Sequence, residues 1–239
     1  MRIDIWSDVV CPWCYVGKRR LEAALADFGH ADEVEVVWHS FQLEPGAPTA
    51  PTQSLAEHLG RKYGGGPDAG RQMIDRMEAV AAEAGLLFGL HRALPVGTGD
   101  AHRLLHLALD EGGPALQGRL KEALLSAYCV EARNVADHDV LRDVATGAGL
   151  DAARVDEVLG SHAYADAVQT DIDQAHAYGA SGVPFYVVDG RYGVSGAQPS
   201  ETFAAVLRRA WDERVPSLQL VGDAGSADGE VCGPDGCTP

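Results

Sequence analysis

Hydrophobic positions alternate with polar ones at the start of the chain. Residues 2–6 are Arg, Ile, Asp, Ile and Trp, and residues 33–38 alternate before becoming fully apolar. A repeat of two is typical of a half-buried strand. Between these segments, residues 15–28 are rich in Leu, Ala, Arg and Glu and precede Gly29, a residue that suits the end of a helix. The pattern therefore predicts a βαβ unit with parallel strands.

The middle of the chain has a helical period instead. From residue 54 to about residue 163, apolar positions recur at helical spacing between Gly and Pro residues, and no segment alternates like a strand. Asp100 suits the N-cap of one helix, which Gly112-Gly113 would end. Pro114 would open the next, with Leu120 and Leu124 on one face. This part is predicted to be all helical.

The last third returns to a strand pattern. Residues 164–178 predict a helix, and two β-rich segments follow on either side of Asp189-Gly190. This dipeptide favours a two-residue hairpin between antiparallel strands. Residues from about 200 to 214 carry apolar side chains at helical spacing and predict a closing helix.

A βαβ half and an αββα half, separated by helices, indicate the α/β class. The arrangement predicts a thioredoxin fold with an inserted all-helical domain. We divide the chain into an N-terminal thioredoxin half, the helical insertion, a C-terminal thioredoxin half and a flexible tail: residues 1–50, 51–163, 164–221 and 222–239.

Composition limits the partners. The chain has 239 residues, is 46% hydrophobic and carries a formal net charge of −16. That charge argues against nucleic acid or an anionic membrane surface as a partner, because both are polyanions. No apolar stretch approaches membrane-spanning length, and the first strand begins at once, without a signal peptide. We therefore expect a cytoplasmic protein, in which five cysteines do not form a disulfide scaffold.

The candidate chemistry lies at Cys11-Pro12-Trp13-Cys14, between the first strand and the first helix. Pro12 suits the first helical position, and Cys14 follows Cys11 by one turn on the same face, close enough for a disulfide. The helix dipole and the free N–H groups favour a thiolate at Cys11. The spacing predicts a redox-active dithiol in which Cys11 attacks and Cys14 resolves, with neither metal nor cofactor.

Four motifs carry a family resemblance. They are residues 7–15, residues 101–104, residues 182–185 and residues 194–199. Together they resemble the DsbA-like thiol–disulfide oxidoreductases of the FrnE type, over the chain from Met1 to about Trp211. The resemblance implies a thioredoxin domain with an inserted helical domain, and protein-disulfide oxidoreductase or isomerase activity.

The resemblance also implies that the Val183–Pro184 peptide bond is cis and faces Cys11. A proline there leaves the backbone groups of Val183 free to pair with an extended substrate. We assign Val183 and Pro184 to substrate binding, together with Trp13 beside the predicted reactive sulfur.

A related scaffold provides an alternative. The 2-hydroxychromene-2-carboxylate isomerases and kappa-class glutathione transferases typically carry Ser where this chain has Cys11. A hydroxyl group activates glutathione but forms no mixed disulfide, so Cys11 with Cys14 favours redox exchange over glutathione-dependent isomerisation.

The tail holds a second pair, Cys232 and Cys237, around Gly-Pro-Asp-Gly, a β-turn sequence that would bring the thiols together. One hypothesis is a second redox pair that exchanges electrons with Cys11 and Cys14; another is an incidental disulfide in a tail. A third alternative combines all four cysteines in a redox-switched zinc module.

The predicted substrate is a protein or a small molecule that contains a disulfide or a dithiol, with glutathione or thioredoxin as the candidate reductant. The sequence fixes neither the direction of exchange nor the oligomeric state. It also predicts two solvated helix faces, the basic run from Lys18 to Arg20 and the polar face that includes Asp171.

Overall fold

The computed structural model describes residues 1–214 and two short strands near the C-terminus. The first half of the sheet is the predicted βαβ unit, and six α-helices follow it before the next strand. In chain order the elements are β1 (Arg2–Ser7), α1 (Pro12–Ala26), β2 (Glu35–Ser40), α2 (Leu55–Lys62), α3 (Gly66–Glu83), α4 (Gly99–Cys129), α5 (His138–Ala148), α6 (Ala152–Leu159), α7 (Ala165–Ala177), β3 (Phe185–Val188), β4 (Tyr192–Ser195), α8 (Ser200–Asp212), β5 (Cys232–Gly233) and β6 (Gly236–Cys237).

The central sheet has the strand order β2-β1-β3-β4. Strand β1 runs parallel to β2, with Ile5 opposite Trp38, and antiparallel to β3, with Ile5 opposite Tyr186. Ile5 and Tyr186 are buried beneath α1 and α8. The sheet and the helices between its halves confirm the predicted α/β class and the thioredoxin fold with a helical insertion.

The predicted hairpin joins β3 to β4. Asp189 and Gly190 both have positive φ angles, 53° and 65°, as a type I′ turn requires. The Arg191 N–H closes the turn by donating to the Val188 carbonyl oxygen at 3.1 Å.

Helix α4 is interrupted where the sequence predicts a break. Gly113 has a non-helical backbone (φ 63°, ψ −166°), so α4 consists of two helical segments that meet at a kink, as the Gly112-Gly113 pair predicted. Pro114 has no N–H to donate to the preceding turn and begins the second segment.

Helices α2 and α3 pack closely against each other. A Cβ atom at Gly70 would collide with the carbonyl oxygen of Ala56, and one at Gly60 would collide with that of Gly66. The two glycines therefore permit a close approach that no other residue allows. Ser54 and Glu57 form a capping box that fixes the start of α2.

The two predicted solvated faces are wrong for Lys18 and Asp171, whereas Asp173 and His176 of the second face are exposed. Lys18 is only 8% exposed, and it pairs with Glu122 of α4 at 2.6 Å. The neighbouring Arg19 also pairs with Glu122. The basic run therefore attaches α1 to α4. Asp171 is also buried, at 7% exposed, because α7 packs against β2 and α4. Both segments are polar by composition, and their partners lie more than a hundred residues away in sequence.

Asp171 accepts hydrogen bonds from several directions. Its carboxylate receives the Ser40 N–H at 2.7 Å and contacts His39 Nδ1 at 2.7 Å and His106 Nε2 at 3.1 Å. The other ring nitrogen of His39 contacts Asp4 at 2.7 Å. A protonated His39 thus bridges two carboxylates between the sheet and α7.

The bridge predicts a pH-dependent stability. Burial lowers the pKa of His39, but its hydrogen bonds to Asp171 and Asp4 outweigh burial and raise that pKa from 6.5 to about 8. The folded state therefore favours the protonated ring. The contribution of about 2 kcal/mol is complete below pH 6.5 and is lost as the pH rises through 8.

Denaturant unfolding at a series of pH values measures this effect. We expect the free energy of unfolding of the wild type to fall across that window, and His39→Gln to be less stable at the acid end and flatter across the window. Equal slopes in the two proteins would contradict the assignment to His39.

Candidate active site

The dithiol lies where β1 ends and α1 begins. Cys11 is the N-cap of α1 with an extended backbone, Pro12 occupies the first turn, and the Cys14 N–H donates to the Cys11 carbonyl oxygen at 3.0 Å. Both cysteines are buried, at 4% and 0% exposed. Only Cys11 lines the adjacent cavity, so the two sulfurs differ in their access to a ligand.

The residues around Pro184 lie directly against the dithiol. The Val183–Pro184 peptide bond is cis, and the Val183 carbonyl oxygen lies 3.8 Å from Cys11 Sγ. Gly17 of α1 faces the same loop, and a Cβ there would lie 3.1 Å from Pro184 Cγ. The structure therefore brings together Cys11, Val183 and Pro184, as the sequence predicted. Trp13 is 45% exposed and lies at the mouth of the cavity.

The two sulfurs hold one negative charge between them. Burial raises the pKa of Cys14, but the hydrogen bond from Cys11 and the charge of Lys121 outweigh burial, so that pKa lies below its ordinary value. The hydrogen bond to Cys14, together with burial, raises the pKa of Cys11 well above its ordinary value. The sequence predicts a thiolate on Cys11. The structure adds a buried ammonium group, that of Lys121, which favours a negative charge on the dithiol.

Lys121 comes from the helical insertion. Its side chain is fully buried, and its Nζ donates to the Ser7 carbonyl oxygen at 3.2 Å and lies 5.5 Å from the centre of the Trp38 ring. Burial lowers the pKa of Lys121 to about 8, although the nearby Cys14 and Asp8 favour the ammonium form. The ammonium group is therefore the positive charge that balances the dithiol.

Asp8 and His102 form a second buried pair beneath the site. The Asp8 carboxylate accepts the Leu43 N–H at 2.8 Å and lies 3.2 Å from His102 Nε2. Burial raises the pKa of Asp8, but the hydrogen bond to His102 outweighs burial and lowers that pKa. Burial lowers the pKa of His102, so a neutral ring donates to the carboxylate. The pair anchors the β1–α1 junction to α4.

The sequence pattern gave no role to the individual side chains of Lys121, Asp8 and His102. One signal was present for Lys121. Gln117 and Lys121 fall at helical spacing among the leucines of α4, so both polar side chains lie on the apolar face that the pattern predicted to be buried. A buried polar side chain needs a partner, and the sheet supplies one for each: Gln117 bonds the backbone of Trp38, and Lys121 that of Ser7.

The tail pair stays a prediction. The described strands place Cys232 opposite Cys237 in antiparallel register. Their side chains lie outside the described residues, as does most of the predicted segment 222–239. Within the described part of the chain, no group of three or more His, Cys, Asp or Glu residues is arranged to hold a metal ion.

A large cavity opens beside Cys11. It has a volume of about 780 Å³ and lies between the dithiol, the loop before Pro184 and the insertion. Helices α2 and α3 supply six of its apolar lining residues, which are Leu55, Leu59, Met73, Ile74, Met77 and Val80.

Comparison with known proteins identifies the family. Residues 2–208 match the model of the DSBA-like thioredoxin domain. The chain belongs to the DsbA-like family. It is therefore a member of a family of thiol oxidoreductases, in agreement with the buried dithiol at the start of α1.

Solved structures of DsbA-like and related proteins share the fold. A probable DsbA oxidoreductase from Streptomyces coelicolor is 46% identical, with a TM-score of 0.84 over 100% of this chain and 99% of that one. A 2-hydroxychromene-2-carboxylate isomerase is 14% identical, with a TM-score of 0.65 over 89% and 97%. The cytosolic disulfide reductase DsbM from Pseudomonas aeruginosa, solved with GSH, is 18% identical, with a TM-score of 0.59 over 89% and 100%. The last two similarities concern the fold alone.

None of the helices in the described part of the chain is both long enough and apolar enough to cross a bilayer.

Proposed function

We propose that this DsbA-like protein is a thiol–disulfide oxidoreductase of the FrnE type that acts through Cys11 and Cys14. One observation carries the proposal: two buried cysteines lie one turn apart at a helix N-terminus, and of the two only Cys11 lines the cavity. A substrate therefore reaches one sulfur, while the second is enclosed behind it.

The exchange begins with a proton transfer inside the pair. When the Cys11 proton passes to Cys14, Cys11 becomes a thiolate at the cavity wall and attacks one sulfur of a substrate disulfide. A mixed disulfide forms, and the other substrate sulfur leaves as a thiolate. Cys14 then loses its proton and attacks Cys11 Sγ, which releases the second substrate thiol and leaves a Cys11–Cys14 disulfide. The reverse sequence oxidises a substrate dithiol.

The surrounding groups support this exchange. Lys121 stabilises the negative charge on the pair and therefore stabilises the reduced form relative to the disulfide. The backbone of Val183 and Pro184 lies beside Cys11, where a bound substrate would contact it. Trp13 covers one side of the mouth, and we assign it to substrate binding.

The proposal includes a cytoplasmic location and a thiol reductant such as glutathione or thioredoxin. The P. aeruginosa reductase with the same fold was solved with GSH, which supports glutathione as the first candidate to test. The alternative of a glutathione-dependent isomerase or transferase rests on the shared fold, and the cysteine at position 11 argues against it.

Two assays on the same purified protein separate these functions. We expect it to catalyse the reduction of insulin disulfides by dithiothreitol and to show no conjugation of glutathione to a chromogenic acceptor. Cys11→Ser should abolish insulin reduction. Conjugation that survives in Cys14→Ala, without any insulin reduction in the wild type, would favour the transferase.

A further inference from the structure

The cavity beside Cys11 carries information about the substrate. Its volume of about 780 Å³ lies within the range of about 300–1,000 Å³ that is typical of small-molecule sites. Leucine, isoleucine, valine and methionine side chains form much of its wall, and Cys11 is one of the lining residues. Several charged side chains also line it, among them Asp8 and Glu44. An apolar space of this size next to a nucleophilic sulfur is more than a disulfide bond alone needs.

We propose that the cavity binds a small, apolar, anionic organic molecule whose disulfide or thiol reacts with Cys11. This inference rests on the proposed function and names its substrate class. The apolar body of the molecule lies against α2 and α3, with its sulfur directed to Cys11.

Helices α2 and α3 form one wall. Gly60 and Gly70 lack the Cβ atoms that would collide with the backbone of the other helix, so the two helices lie in direct backbone contact. Met73 and Met77 project from α3 into the cavity, and methionine adapts well to apolar ligands of irregular shape. Trp13 and Tyr63 leave large apolar surfaces exposed at the mouth, 45% and 64% of each residue.

The charges at the mouth favour an anionic group. Glu44 pairs with two of the lining side chains, His58 at 2.9 Å and Lys62 at 2.5 Å. Arg76 also lines the cavity, and its guanidinium group has no carboxylate partner among the described residues. Within residues 1–214 it donates a hydrogen bond to the carbonyl oxygen of Gln72 in its own helix, at 3.2 Å. A carboxylate on the ligand would supply the missing partner.

Dithiosalicylate, the symmetrical disulfide of thiosalicylate, is a probe with this chemistry. Each turnover with dithiothreitol converts one dithiosalicylate into two thiosalicylates and oxidises one dithiothreitol to its cyclic disulfide. Cystine is the polar comparison, and insulin is the protein comparison. We expect KM for dithiosalicylate to be at least about tenfold lower than KM for cystine, because only the aryl compound fills the apolar walls.

Variants in the wall test the location. Met73→Gln should raise KM for dithiosalicylate about tenfold. Met73→Leu should keep KM close to the wild-type value, since leucine keeps the apolar contact. Leu87→Gln is the matched control, because Leu87 is 79% exposed and lies outside the cavity lining. Arg76→Gln should raise KM for dithiosalicylate about threefold and leave KM for an uncharged aryl disulfide unchanged.

A binding measurement separates this inference from the redox proposal. Cys11→Ser cannot react with the disulfide, so calorimetry with this variant should measure the binding of dithiosalicylate alone. The double variant with Met73→Gln should bind dithiosalicylate more weakly. Cys11-dependent turnover with equal KM for dithiosalicylate and cystine would overturn the substrate class and leave the proposed function intact. A preference for insulin that dithiosalicylate does not inhibit would overturn it in favour of a protein substrate. Absence of turnover with every disulfide would overturn both proposals.

Discussion

Replacing Cys14 with alanine is expected to stop turnover and to leave substrate covalently attached to Cys11. Cys11 lines the cavity and forms the mixed disulfide, whereas the buried Cys14 supplies the sulfur that resolves it. Without Cys14 the mixed disulfide has no nearby nucleophile and accumulates. We expect the steady-state rate to fall by at least about a thousandfold, as for the loss of a covalent catalyst.

Cys11→Ser tests the order of attack. The steady-state rate of this variant should fall by a comparable factor. No substrate should become covalently attached, because the remaining Cys14 does not line the cavity. Peptide mass spectrometry locates the adduct and distinguishes Cys11 from Cys129 and from the tail cysteines. An adduct on Cys14 in Cys11→Ser, or full activity in that variant, would show that the assigned order is wrong.

Cys129→Ala is the matched control for removal of a thiol. Cys129 is fully buried in the core of α4, and burial raises its pKa well above the ordinary value. A neutral, enclosed thiol takes no part in exchange. We therefore expect this variant to turn over at close to the wild-type rate.

Replacing Lys121 with methionine is expected to slow exchange at neutral pH and to make the dithiol more reducing. Methionine keeps most of the volume and removes the charge that stabilises the shared thiolate. Loss of a close opposite charge should raise the pKa of the first ionisation of the dithiol by about 1 to 2. The rate at neutral pH should fall about tenfold and recover as the pH rises, because more thiolate then forms.

The equilibrium changes in the same direction. The ammonium group stabilises the reduced dithiol, so its loss favours the disulfide. The reduction potential then becomes more negative by about 30 mV for each tenfold change in the equilibrium constant between dithiol and disulfide. A pH titration of thiolate absorbance and equilibration in glutathione buffers measure the two quantities. A purely structural role for Lys121 would lower stability without moving either one.

Lys18→Met provides a matched control for the removal of a buried ammonium group. Lys18 is nearly as buried as Lys121, but it pairs with the carboxylates of Glu22 and Glu122, so its charge is already balanced. We expect a loss of stability with little change in the thiol pKa. Equal effects of the two substitutions on that pKa would contradict a specific role for Lys121.

The local elements were predictable because their causes lie close together in the chain. The alternation of residues 2–6 placed β1, the Pro after Cys11 placed the start of α1, and Asp189-Gly190 placed the β3–β4 hairpin. Each of these depends on the period or on the backbone preferences of a few neighbouring residues. The thioredoxin fold followed from their order.

The predictions about individual side chains failed where partners are distant. Asp171 and Lys18 were expected on solvated faces, because a polar helix segment by itself gives no sign of an opposing charge. Their partners come from other elements, His39 and His106 for Asp171 and Glu122 for Lys18. Burial of a charge depends on such pairing, and pairing depends on how helices pack.

The sequence by itself determined the fold class and the pair of cysteines one helical turn apart, since spacing and local backbone preference are written in adjacent residues. Only the tertiary structure decided which group balances the charge of that pair and what lies beside it. Lys121 and Ser7 are 114 positions apart, and Val183 is 172 positions from Cys11. Electrostatic stabilisation and the apolar cavity depend on distances of a few ångströms, which packing sets and sequence spacing does not.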